Sequence, residues 1–234
     1  SDIFTKAKEN RFYLNLMEFN LLQKIGAGAT CLGDLAEFYN GIKTGNNKKF
    51  LSDEKKNGKF KPVYRGRNVH RYSLSCPKTY VLFDKEKLWS NTNENKLLKN
   101  PKILIRQTGD SLIASLDTKG VLHMDSTHCI FDSDVSLLYI LALLNSFVMS
   151  WWHRAFTSEE GRAFAEVKIA TLKQLPIKVE KVKEVESLVK RIISQKNQDP
   201  ERSTSDLEKQ INKIVFDIYE LTDAEQRIVL GKDE

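Results

Sequence analysis

The pattern of apolar and polar positions changes character along the chain. Over residues 3–24, Phe4, Phe12, Leu14, Leu16, Phe19 and Leu22 recur among charged residues, which predicts a helix without a clean apolar stripe. From residue 33 to about residue 131 the apolar positions fall in short runs, namely KPVYRG, TYVLF, PKILIRQ, SLIASL and GVLHM. Gly, Asn, Asp and Pro bound these runs, and Val, Ile, Leu and Tyr fill them, so they predict strands. Residues 135–152, VSLLYILALLNSFVMSWW, are 18 positions without a charge and predict one apolar helix buried on most sides. Ser136, Asn145, Ser146 and Ser150 interrupt the segment, which argues against a membrane span.

Beyond Pro176 the period becomes helical. Val182, Val185, Leu188, Val189, Ile192 and Ile193 recur at spacings of three and four, as do Leu207, Ile211, Ile214, Val215 and Ile218. Polar residues 198–201 separate the two stretches, so an antiparallel helical hairpin is expected. Ser205 with Glu208, and Thr222 with Glu225, have the spacing of capping boxes. The organisation expected is an N-terminal helix or linker (1–25), a β-rich module (26–177) and the helical hairpin (178–234). The fold class is α+β.

Charge sharpens this picture. The net charge is +6 (37 basic minus 31 acidic residues), but residues 41–72 alone hold ten Lys and Arg against Asp53 and Glu54. The basicity is therefore local, and a concentrated positive field suits a polyanion. Cys31, Cys76 and Cys129 are odd in number and include no CxxC pair, which argues against a disulfide framework and fits a reducing cytoplasm.

Catalytic and metal motifs are sparse. GAGATCLG at 26–33 places Cys31 where the third Gly of a dinucleotide-binding loop would fall, so it reads as a turn leading into a strand. Glu166-Val167-Lys168 matches half of a metal-dependent nuclease site without an identified partner acid. His123, His128 and Cys129 lack a fourth ligand at metal spacing. No catalytic residue and no metal site are assigned.

Three clusters remain. GIKTGNN (41–47) presents Thr44, Asn46 and Asn47, and Asn can pair with adenine. KPVYRGRNVHRY (61–72) carries Arg65, Arg67, Asn68 and Arg71, whose bidentate groups suit base edges and phosphate. ILIRQTGDS (103–111) adds Arg106 and Gln107. Lys43, Lys48, Lys49, Lys59 and Lys61, with His70 and Tyr72, are the expected phosphate contacts. Together the clusters predict contact with a nucleic acid.

At these same stretches, and at HMDSTHCIF, YILALLNSFVMSWW and VKIATLKQLPI, the chain resembles the TaqI-like C-terminal specificity domain. That is the target-recognition part of adenine-specific DNA methyltransferases and of fused restriction–modification enzymes. The resemblance implies a separate N-terminal methyltransferase domain or subunit that holds S-adenosylmethionine, with no cofactor in this segment. It implies that this chain binds double-stranded DNA, selects the sequence and is itself non-catalytic. The family is also similar to type I specificity subunits, whose helices dock methyltransferase subunits. That role is the alternative to the fused enzyme, and a nuclease using Glu166 and Lys168 is a third reading.

Overall fold

The computed structural model describes residues 16–157 and 166–231. The elements in the first half are α1 (Leu16–Gly26), β1 (Thr30–Cys31), α2 (Leu32–Leu35), β2 (Glu37–Asn40), α3 (Asn47–Phe50) and β3 (Leu51–Ser52). There follow β4 (Phe60–Tyr64), β5 (Val69–His70), β6 (Ser73–Leu74), β7 (Tyr80–Leu82), α4 (Glu94–Leu97) and β8 (Lys102–Arg106). Next come β9 (Ala114–Asp117), β10 (Leu122–His123), β11 (Thr127–Phe131), α5 (Leu137–Leu144) and α6 (Phe147–Thr157). The chain closes with α7 (Ile169–Leu172), β12 (Pro176–Ile177), α8 (Val182–Gln198), α9 (Ser205–Ile218) and α10 (Asp223–Val229).

The class is α+β, as expected. The larger sheet runs β2-β11-β8-β9 with every pair antiparallel. Its central strands are buried on both faces, and the two-residue side-chain period divides them between two cores. Ile103, Ile105 and Ile130 face a large helical core, whereas Leu104, Cys129 and Phe131 meet Tyr64 and Val69 on the other side. The second sheet, β10-β4-β7-β3, has its own small core of Ile42, Phe50, Val63, Val81, Leu88, Leu97, Leu122 and Met124. Each run expected as a strand contains one. The Gly-rich 26–33 stretch is a turn with Gly28 at φ +69°, leading into β1.

The expected single helix over 135–152 is two helices, and Asn145 explains the break. Its carboxamide donates to the Ala114 carbonyl and accepts from the Ala114 N–H, both at 3.0 Å, so it satisfies the edge of β9. The Ser146 hydroxyl then donates to the Leu143 carbonyl and accepts from the Met149 N–H, closing α5 and opening α6. A polar pair with three backbone jobs ends the first helix. No helix among the described residues is long and apolar enough to cross a membrane.

The C-terminal hairpin is antiparallel: Lys181 at the start of α8 reaches Asp217 at the end of α9. Its apolar stripes join the same core as α1, α5 and α6. Thr222 and Glu225 form the expected capping box. The other expected box is not formed: the N-cap of α9 is Thr204, not Ser205, and its hydroxyl donates to the Glu208 carboxylate instead of accepting a backbone N–H. The N-terminal helix is seen only from Leu16. Phe4, Phe12, Leu14 and, later in the chain, Phe164 lie outside the described residues. All three cysteines are free.

Candidate nucleic-acid interface

The three candidate segments are brought together by one turn. Residues 124–127 reverse the chain between β10 and β11, closed by the Thr127 N–H donating to the Met124 carbonyl at 2.9 Å. Asp125 donates its N–H to the Ile42 carbonyl (3.0 Å), and Gln107 donates its N–H to the Ser126 carbonyl (3.0 Å). The Gly66 N–H donates to the Ser126 hydroxyl at 2.9 Å. Two glycines allow this closeness. A Cβ at Gly41 would stand 1.9 Å from the Met124 carbonyl oxygen, and one at Gly66 would stand 2.9 Å from that of Ser126. Segments 41–47, 61–72 and 103–111 therefore share a single hub.

Around it, backbone and hydroxyl acceptors anchor the arginines. Arg106 donates from Nε to the Val69 carbonyl (2.7 Å), and Arg67 donates from Nη2 to the Thr79 hydroxyl (3.0 Å). The backbone N–H of Arg65 donates to Asn68 Oδ1 (2.9 Å), closing the 3-10 turn Gly66–Asn68. Arg65, Arg67 and Arg106 then line one open depression with Gly66, Thr108 and Ser126. Among the described residues no carboxylate pairs with any of the three. Three unneutralised planar cations with spare donors on one open surface can hold phosphate oxygens or guanine edges.

The model of the TaqI-like C-terminal specificity domain matches residues 61–177, half of the chain, and spans both β4 with the Arg65–Arg67 stretch and β8 with Arg106. The chain belongs to this family. No curated protein matches it. Among solved structures it is similar to the type IIL restriction–modification enzyme MmeI in complex with DNA, at 14% identity and a TM-score of 0.59. That likeness covers 87% of this chain and 36% of MmeI. The type IIG restriction endonuclease BpuSI is similar at 9% identity and a TM-score of 0.53, over 87% of this chain and 33% of BpuSI. At these identities the likeness is one of fold, and the chain spans about a third of the length of either structure.

Within this specificity domain the expected site residues separate into two sets. Lys43, Lys48, Lys49 and Lys59 are exposed and without a carboxylate partner among the described residues. Lys59 lies at the far end of β4 from Arg65, roughly 20 Å along the strand. Gln107 is half-buried and donates to the Glu166 carboxylate at 3.2 Å.

Several other residues serve the fold. Thr44 is buried and donates to Asn47 Oδ1 at 2.6 Å. Asn68 is buried, with its amide donating to Ser75 Oγ and the Cys76 carbonyl. Tyr72 is buried at φ +61°, and burial raises its hydroxyl pKa, so it is no phosphate contact. Arg71 is tied to Glu208 at 2.8 Å and to the Asn145 carbonyl, which locks it against the hairpin. Lys61 is neutralised by Glu94 at 2.7 Å. His70 is exposed, but burial of its ring and the Arg106 charge lower its pKa and favour the neutral form.

Asn46 and Asn47 are exposed, yet each carboxamide oxygen already accepts a bond, from the Lys49 N–H and the Thr44 hydroxyl respectively. Paired recognition of adenine by either would have to share that oxygen.

The hub residues Asp125 and Ser126 were not singled out from sequence. A short polar turn carries no local signal that three distant segments bond to it. Nothing favours the nuclease reading: Glu166 contacts Gln107 and lies 3.9 Å from Lys168, and the described residues contain no group of acids, histidines and cysteines able to hold a metal. His128 is buried, with Nε2 donating to the Val167 carbonyl at 2.7 Å.

Proposed function

We propose that this chain selects the DNA target of a restriction–modification enzyme. Arg65, Arg67 and Arg106 contact the duplex, and Lys43, Lys48 and Lys49 hold flanking phosphates. The observation that carries this reading is the shared depression of three arginines free of carboxylates, inside the region matched by the family. Arg67 is the best placed to read a base, because it is exposed and held by one neutral hydroxyl, which leaves donors for a guanine edge. Membership of a specificity-domain family supports a partner domain or subunit that methylates adenine. S-adenosylmethionine would be held there and not by this chain, and the assembly would work in the cytoplasm.

Selection of bound duplexes from a random-sequence pool tests the proposal. A defined motif should be enriched, and Arg67→Ala should relax one position of that motif by about 1–3 kcal/mol. Lys49→Ala should weaken all sequences alike. Enrichment of no motif, or an equal loss at every sequence with Arg67→Ala, contradicts the reading.

A further inference from the structure

Trp89 is 75% exposed, whereas its two neighbours are fixed. Leu88 is buried in the small core behind the second sheet. Ser90 exchanges two backbone hydrogen bonds with Lys43, each 3.2 Å. One residue further, Asn91 donates its side-chain amide to the Gly41 carbonyl at 3.0 Å. The indole also rests against the turn itself, because a Cβ at Gly45 would meet Trp89 Cε3 at 3.1 Å and Trp89 Cβ at 3.3 Å. Gly45 has φ +73°, so the turn needs glycine there for its backbone as well as for the ring. The ring is thus presented rigidly from the segment that connects to the hub.

Its surroundings favour a nucleic acid over a protein. Exposed Lys43, Lys48 and Lys49 belong to the adjoining segment and lack carboxylate partners among the described residues. In its own loop Lys87 is paired with Asp84 and Glu86 is exposed, so the excess positive charge comes from the 43–49 turn. No other large apolar side chain of segments 41–50 and 84–93 is exposed, so there is no apolar patch for a protein partner to cover. A fixed aromatic face beside free ammonium groups matches the means by which proteins grip an unstacked base and its phosphates.

We infer that Trp89 stacks on a nucleobase at an unstacked step of the bound DNA. The inference rests on the DNA-binding reading above and adds a contact outside the arginine depression.

Intrinsic fluorescence gives a direct test, because Trp151 and Trp152 are buried at 5% and 3% exposure and acrylamide reaches Trp89 far more readily. A duplex oligonucleotide should quench the emission and reduce acrylamide access. Trp89→Ala should weaken binding roughly tenfold without changing the salt slope, and Trp89→Phe should restore most of it. Thermal denaturation of Trp89→Ala should match the parent chain. Salt-dependent binding with Trp89 still open to acrylamide, and with full affinity in Trp89→Ala, overturns the stacking and leaves the DNA reading intact. Absence of salt-dependent binding by the unaltered chain overturns the DNA reading, and the stacking falls with it.

Discussion

Arg71 separates what composition suggests from what the fold does. Its Nε donates to Glu208 across 137 residues of sequence, and its Nη2 donates to the Asn145 carbonyl at the corner between α5 and α6. The residue therefore ties the recognition module to the hairpin at the point where the helix breaks. The side chains of the pair remain 29% and 21% exposed, so solvent screens part of the attraction. Charge-assisted bonds of this kind contribute roughly 1.5–3 kcal/mol each before that discount. Arg71→Ala should then cost about 2 kcal/mol and lower the melting temperature by about 4–8 °C in a chain of this size. Glu208 keeps the Thr204 hydroxyl as a donor, so the loss stays below that of an abandoned buried charge. A double-mutant cycle with Glu208→Gln, followed by circular dichroism, should return a coupling of about 1 kcal/mol. The DNA motif selected by Arg71→Ala should equal that of the unaltered chain. Unchanged stability together with an altered motif would refute the assignment and return Arg71 to the DNA.

Other consequences can be checked in the same way. Lys102 and Asp117 are 0% and 1% exposed and 2.8 Å apart, with two backbone carbonyls and two backbone N–H groups completing their bonds. Lys102→Met should cost about 3–5 kcal/mol in chemical denaturation by leaving a buried carboxylate unpaired. Gly41→Ala should cost about 1–3 kcal/mol, because its Cβ meets a backbone carbonyl that cannot rotate away, and it should weaken DNA binding by moving the hub. His123 donates from Nδ1 to Thr127, whose own hydroxyl already donates to Met124. Burial, and next the Lys102 ammonium, push its pKa down to about 3 from an ordinary 6.5. The unfolded chain binds that proton and the folded chain does not, so this contribution is constant above pH ~6.5 and declines towards pH ~3, reaching about 2 kcal/mol lost at pH ~5. Stability measured against pH should show this limb, and His123→Phe should flatten it.

The legible parts of the fold were those written in local chemistry. Strands β4, β7, β8 and β9 announce themselves as Val, Ile and Leu runs between breakers, and the hairpin by its three-and-four spacing. The break at Asn145 was illegible, because it exists to satisfy the backbone of Ala114, a partner 31 residues away. The same reason divides the candidate site. A lysine or arginine declares its charge in the sequence but not its counterion. Glu94 lies 33 residues from Lys61, and Glu208 still farther from Arg71, so neither neutralisation could be foreseen. Arg65, Arg67 and Arg106 keep their charge uncompensated among the described residues, because the guanidinium groups of Arg67 and Arg106 bond to a neutral hydroxyl and a backbone carbonyl and no carboxylate pairs with Arg65. Thr44, Asn68 and Tyr72 carry the right chemistry but are buried within the fold.

The salt dependence of duplex binding, compared between the unaltered chain and the triple variant Arg65→Ala, Arg67→Ala, Arg106→Ala, tests the central claim most directly. For the unaltered chain log K should fall with log salt at a slope of about −3 to −6, and the variant should lose about 2 to 3 units of that slope. A flat line for the unaltered chain, or an unchanged slope in the triple variant, would contradict it.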